Sequence, residues 1–234
     1  MFTHYASQLR AACVGITLVC TSAASAGPID LGFLMDSSGS VGTVNWALQS
    51  EGFSQAIEAL PRNGEYRVTF VSFASHADVI VEPTLIDSDA TLASVQQAVA
   101  DAPFLGSWTN TPAAIRLFMD TISSVGYQPD DHQLVNLATD GDPMLWFRDL
   151  KDETRTAVAD AVEAGLDSFS VEAIGTAPDL DFLTEIVFPT GSVYQENEAL
   201  PNPIDEGFVV VARDYEAFHT MLDSKMDTIV SIPS

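Results

Sequence analysis

Asp36, Ser38 and Ser40 alternate along Asp-Ser-Ser-Gly-Ser, directly after the apolar run Leu31 to Met35. A tight loop could aim all three oxygen-bearing side chains at one point. Converging hard oxygen donors suit a divalent cation such as Mg2+. The apolar run has the length of a buried strand rather than of a helix, so the oxygens would sit at a strand end. Taken alone, the stretch is equally compatible with an ordinary Ser/Gly turn.

Two later stretches bear on that choice. Gly106-Ser107-Trp108-Thr109-Asn110-Thr111-Pro112 leads into the apolar-periodic Ala113 to Met119, and the apolar strand His132 to Thr139 runs straight into Asp140-Gly141-Asp142. Asp-x-Ser-x-Ser, a glycine loop with Thr-Asn-Thr opening a helix, and Thr-Asp-Gly after a strand thus occur in that order. The chain from Ile29 to about Val230 resembles the von Willebrand factor type A (VWA) domain family, whose metal-ion-dependent adhesion site (MIDAS) uses three such loops.

The resemblance implies an α/β, Rossmann-like three-layer fold, with a central, mostly parallel sheet, one antiparallel edge strand and helices on both faces. It also implies Ser38, Ser40 and Thr109 as direct hydroxyl ligands of a divalent ion. Asp36 and Asp140 would hold its waters or switch to direct contact, and a partner protein's Glu or Asp carboxylate would take the remaining position. Uncharged hydroxyls leave most of the ion's charge unneutralised, which attracts an external carboxylate and leaves the waters that Mg2+ prefers to keep. Mg2+ is the expected ion, with Mn2+ or Ca2+ as alternatives.

Thr109 is taken as the ligand because it is the first threonine after the glycine; Thr111 is expected to cap the helix. Members of the family often have two glycines in this loop, where this chain has Gly106-Ser107-Trp108. Trp108 reads as a packed loop residue or as a partner-facing aromatic. Asp142 is read as a solvent-facing turn carboxylate, the alternative being a group that supports the ligands from behind.

The elements that must position these loops follow from periodicity. Val44 to Leu60 spaces Trp46, Leu48, Phe53, Ile57 and Leu60 as an amphipathic helix ended by Pro61. Tyr66 to Phe73 and Asp78 to Ile86 read as strands joined too briefly for anything but an antiparallel hairpin, and Pro83 places the second at the sheet edge. Helices are expected over Asp89 to Ala102, Ala113 to Ser124, within Leu145 to Gly165, over Asp179 to Val187 and over Tyr215 to Val230. Strands are expected over Asp167 to Ile174 and Gly207 to Ala212, with Gly126 to Asp131 a polar turn and Thr190 to Glu206 a surface loop. Alternating strands and helices give a mostly parallel sheet covered on both faces. Ligands of such sheets bind beyond the carboxyl ends of the strands, where Asp36 and Asp140 fall.

Residues 1–26 read as a secretory signal. Arg10 precedes the apolar Ala11 to Cys20, too short to span a bilayer of roughly 20 residues' depth, and Ala24-Ser25-Ala26 fits a cleavage site after Ala26. Val19 before Cys20 does not fit a lipoprotein signal. The expected organisation is therefore a signal peptide over 1–26 and one VWA domain over 27–234, secreted or periplasmic. Both cysteines, Cys13 and Cys20, lie in the signal, so the core, with or without a metal, must hold an exported chain that has no disulfide.

The chain carries 33 acidic against 9 basic residues, a net charge of −24. Removing Arg10 with the signal leaves 8 basic against 33 acidic residues, or −25. That balance disfavours nucleic acid and anionic lipid as partners and reads as a solvated acidic surface.

Catalysis lacks support. Asp-Ser-Ser-Gly has no second copy to form an acid dyad, no Gly-x-Ser-x-Gly elbow occurs, and His76, His132 and His219 are scattered without zinc-protease spacing. The expectation is a metal-dependent binding module that engages an acidic group of a protein partner, not an enzyme. The alternative is an assembly component of an envelope complex, in which the metal only stabilises the loops.

Overall fold

The computed structural model describes residues 27–125 and 132–231. The expected signal segment, its cleavage site and the turn at 126–131 lie outside the described residues. The apolar run after Pro28 forms β1 (Ile29–Asp36), every residue of which is buried. It is followed by α1 (Gly42–Ala56) with a short 3-10 turn, then β2 (Tyr66–Phe73), β3 (Ala77–Leu85), α2 (Asp89–Ala100) and α3 (Thr111–Ser123). Beyond the undescribed turn come β4 (Gln133–Thr139), the two-residue strands β5 (Met144–Leu145) and β6 (Arg148–Asp149), α4 (Lys151–Glu163) and β7 (Ser168–Ile174). The chain closes with α5 (Leu180–Ile186), β8 (Ser192–Gln195), β9 (Phe208–Ala212) and α6 (Tyr215–Val230).

Seven strands form one sheet in the order β3-β2-β1-β4-β7-β9-β8. All neighbours are parallel except β2 and β3. The expected edge hairpin is present, and its register shifts between the Val68 and Phe70 pairs, opposite Pro83, as proline's missing donor requires.

Period-two alternation divides the core. Leu31, Phe33 and Met35 face a cluster shared with α1, α2 and α6, where Phe33 stacks on Phe70 at 4.6 Å and Phe53 meets Phe218 edge-on at 5.3 Å. Leu34 faces the other cluster, built with α3, α4 and α5. Gly32 lets α3 approach on that face: a Cβ there would lie 2.4 Å from the Phe118 ring.

Two segments differ from the sequence expectation. The stretch Thr190 to Glu206, expected to be a surface loop, contains β8, a parallel edge strand registered on Phe208–Val211. The loop expected before α4 contains the β5–β6 hairpin, with Met144 opposite Asp149.

The chain leaves β1 toward β2 on one side, whereas β4 connects onward to β7 on the other. The order therefore reverses between β1 and β4, where an open α/β sheet forms its ligand crevice. The carboxyl ends of these two strands are Asp36 and Thr139.

Candidate metal centre

Asp36 ends β1 fully buried, with both carboxylate oxygens occupied. The Ser38 N–H donates to Oδ1 at 2.8 Å, and the Thr139 hydroxyl at the end of β4 donates to Oδ2 at 2.6 Å. Gln49 of α1 donates to the Asp36 carbonyl at 3.0 Å, fixing the strand end from behind. No basic side chain among the described residues pairs with Asp36. Burial raises its carboxyl to about 6, against the lowering effect of the Ser38 and Thr139 hydrogen bonds.

The turn after Asp36 brings the next two oxygens together. Ser38 Oγ and Ser40 Oγ lie 3.1 Å apart, and Ser40 donates to Asp140 Oδ1 at 2.7 Å. Burial also raises the Asp140 carboxyl, and Ser40 opposes that shift. The hydroxyl of Tyr215, the first residue of α6, is buried near both carboxylates. Burial first, then the charges of Asp140 and Asp36, hold its proton on. It is close enough to Asp140 to lower that carboxyl, yet it makes no hydrogen bond of ordinary geometry among the described residues.

The glycine loop is tied to the Asp36 turn by backbone bonds: Gly39 N–H to Ser107 O at 2.7 Å, and Gly106 N–H to Ser37 O at 2.9 Å. Gly106 adopts φ +63°, and the Phe104 ring would meet a Cβ at 2.9 Å, so one glycine satisfies both the turn and the packing. Three residues on, Thr109 pairs through its backbone with Met144 of β5, at 2.9 and 2.8 Å. Its hydroxyl has no hydrogen-bond partner among the described residues and is free to serve as a donor.

The structure thus joins Asp36, Ser38, Ser40 and Asp140 in one cluster and sets the Thr109 loop against it. Octahedral ligands at the roughly 2.1 Å of Mg2+ lie about 3.0 Å from their neighbours, which matches the separation of the two serine oxygens. No group of three or more His, Cys, Asp or Glu side chains suited to a metal occurs among the described residues. The oxygen set fits a hard cation because its donors are hydroxyls backed by two carboxylates.

Two neighbouring residues depart from expectation, and a third, Trp108, combines both of its readings. Thr111 does not cap α3: it is the first helical residue and buried, and Asn110 occupies the cap position without a side-chain bond to the helix, its amide donating instead to the Ser75 carbonyl at 3.0 Å. Asp142 is no solvent-facing turn residue; it accepts the Asp179 N–H at 2.9 Å and pairs with Lys151 at 2.9 Å, which ties the loop after β4 to α5. Trp108 is half-buried, but what it packs on is exposed: Phe147 edge-on at 4.6 Å and Trp146 at 6.2 Å. Those two aromatics form the turn of the β5–β6 hairpin, are 72% and 86% exposed, and both have left-handed backbones, at φ 51° and 63°. Sequence reasoning missed this pair, as it missed Thr139 and Tyr215. The aromatic Trp-Phe turn carries no hairpin signal, although two adjacent large aromatics directly before Arg148-Asp149 were visible.

A sheet reversing between Asp36 and Thr139, with three oxygen-rich loops at its carboxyl edge, defines a VWA domain. The family model described as "von Willebrand factor type A domain" matches residues 30–223, and the chain belongs to that family. Among solved structures, it is similar to mussel byssus proximal thread matrix protein 1 "with zinc occupied MIDAS motif", at 16% identity and a TM-score of 0.65, over 87% of this chain and 48% of that one. It is also similar to the pilus adhesin SpaC of Lactobacillus rhamnosus GG, at 14% identity and a TM-score of 0.66, over 87% and 30%. Manganese-loaded TRAP protein of Plasmodium vivax is a third, at 18% identity and a TM-score of 0.61, over 83% and 72%. The chain thus spans about half of the mussel protein and under a third of the adhesin. At these identities the likeness shows the fold alone. No curated protein matches the sequence.

Proposed function

We propose that this protein is an exported binding module. It would hold one divalent cation, Mg2+ in the first instance, through Ser38, Ser40 and Thr109, with Asp36 and Asp140 behind them. The ion would capture a Glu or Asp carboxylate of a protein partner. The observation that carries this reading is the cluster itself: Ser38, Ser40 and Asp140 oxygens at 2.7–3.1 Å spacing above a buried carboxylate that has no basic partner among the described residues. A cation supplies the charge that burial denies to Asp36. The bound ion would act as a Lewis acid toward the incoming oxygen. The chain's own residues would hold it, and Thr139 and the Ser38 N–H would keep Asp36 oriented.

A binding role is favoured over catalysis because the histidines are engaged elsewhere. His76 lies beside Asp78, His132 beside Asp167 and His219 against Gln55. It is favoured over a purely structural metal because backbone bonds already join the Asp36 and Gly106 loops. Similarity to an adhesin and a byssus protein supports a place outside the cytoplasm, as does the signal pattern at 1–26. No described helix is long and apolar enough to cross a membrane.

The test is calorimetric titration of the metal-stripped protein with Mg2+, Mn2+ and Ca2+, beside Ser38→Ala. One ion should bind, and the variant should lose it while keeping its circular dichroism spectrum. Heat-silent titrations of both proteins would remove the reading, and unfolding on metal removal would favour the structural alternative.

A further inference from the structure

In so acidic a chain, a basic side chain normally finds a carboxylate. Every other basic side chain among the described residues does so. Arg116, exposed on α3, pairs with none of the described residues. It lines a cavity of about 360 Å3 together with Pro112, Leu145, Trp146 and Leu150. Arg148 and Glu153 also line this cavity, but they pair with each other, so Arg116 supplies its unneutralised charge.

The cavity is continuous with the metal loops. Asn110 on its wall follows Thr109, and Leu145 follows Met144, the residue to which Thr109 is paired through the backbone. Trp108, Trp146 and Phe147 form an aromatic rim between the two places. An exposed aromatic ledge beside a single free guanidinium suits a mixed apolar and anionic segment. Arginine's planar fork matches a carboxylate in particular. Nucleic acid and anionic lipid are poor candidates for a surface with one such charge on so negative a chain.

We propose that this cavity is a second subsite for the same partner segment, taking a second acidic side chain while an apolar residue between the two rests on Trp146 and Phe147. The inference rests on the ion-site reading above. Arg116 lies five residues along α3 from Thr111, a rise of about 7.5 Å. At about 3.3 Å per residue of extended chain, the second acid falls at least about two residues from the one at the ion.

The experiment selects a random linear peptide library on the immobilised, Mg2+-loaded protein and elutes with EDTA. Peptides released by EDTA should share two acidic positions at a fixed spacing with an apolar residue between them. A representative peptide should bind Arg116→Gln about tenfold more weakly than the wild type. Its analogue with the second acid replaced by Ala should bind both proteins equally, which completes a double-mutant cycle. Arg116 is exposed and unpaired among the described residues, so this variant keeps the fold. EDTA-released peptides with a single acid, or equal affinity of the two-acid peptide for both proteins, would overturn the subsite and leave the ion site standing. A selection yielding no EDTA-released peptide would overturn both.

Discussion

The Thr139 hydroxyl reaches the Asp36 carboxylate at 2.6 Å across the ends of the two central strands. A hydroxyl has one proton, and the Gly141 carbonyl, also within reach of Thr139, lies further away at 3.0 Å. The shorter, charge-assisted bond takes the proton. The residue before Asp140 thereby fixes the residue that ends β1, coupling two of the three metal loops beneath the surface.

That coupling predicts the behaviour of Thr139→Val, which keeps the shape and removes the donor. Hydrogen bonds to charged groups are worth about 1.5–3 kcal/mol, so the metal-free variant should lose about 2 kcal/mol at neutral pH. Without this bond the Asp36 carboxyl rises further, so the proton competes better with the ion and Mg2+ affinity should fall several-fold. Calorimetry at fixed pH checks this; unchanged affinity would mean that Thr139 only packs.

Asp36 should also make the metal-free protein less stable as pH rises. Its carboxyl is near 6 in the fold against 3.8 in the unfolded chain. Below 3.8 both states hold the proton and the group contributes nothing. Between 3.8 and about 6 the unfolded chain has released it while the folded chain keeps it, so folding loses stability with rising pH. The total is on the order of 3 kcal/mol. Denaturant midpoints of the metal-stripped wild type minus those of Asp36→Asn should show this fall over that window, and saturating Mg2+ should abolish it. A flat difference would contradict the raised carboxyl.

Most of what positions the site was legible in the sequence because it rests on periodicity. The bounds of β2 and α6 agree with their apolar spacing, and the Asp36, Thr109 and Asp140 loops lie at strand and helix ends as the motif order required. What escaped depends on distance across the fold. β8 is four residues long, mostly exposed and set among acids and prolines, so its pairing with β9 leaves no local pattern. Thr111 looked like a cap because threonine before proline often is one, but the backbone turn at Asn110 starts the helix one residue earlier than that reading required. Asp142 looked like any turn acid, and only Lys151 and the Asp179 amide give it a place.

Lys225 and Glu172 illustrate the same limit inside the core. Their contact joins α6 to β7 with both side chains essentially buried, and the Lys225 ammonium lies 5.1 Å from the centre of the Phe208 ring. Burial pushes the lysine well below its usual range. One Glu172 oxygen, Oε2, has no hydrogen-bond partner among the described residues. Lys225→Met should therefore cost about 3–5 kcal/mol by stranding the carboxylate, and Lys225→Met combined with Glu172→Leu should recover most of it. Urea unfolding of the three proteins decides the matter. A double variant no better than the single one would show that the pair is worth more than the packing that replaces it.

The hairpin turn carries the opposite kind of prediction, a gain in stability at the expense of binding. Met144 pairs with Asp149 and Leu145 with Arg148, which leaves a two-residue connection with positive φ at both Trp146 and Phe147. Asn-Gly is the favoured pair for that geometry, and each bulky residue in the left-handed region costs roughly 1–2 kcal/mol. Such local strain is retained where the surrounding structure uses it, and here it holds two exposed aromatics beside Trp108 and the Thr109 loop. Trp146→Asn with Phe147→Gly should thus raise stability by about 1–2 kcal/mol while leaving Mg2+ affinity unchanged, since neither side chain belongs to the oxygen cluster. Peptides selected on the Mg2+-loaded protein should bind this variant more weakly. A variant that gains no stability would show that the turn is not strained, and one that binds those peptides as tightly as the wild type would show that the aromatics are not part of the docking surface.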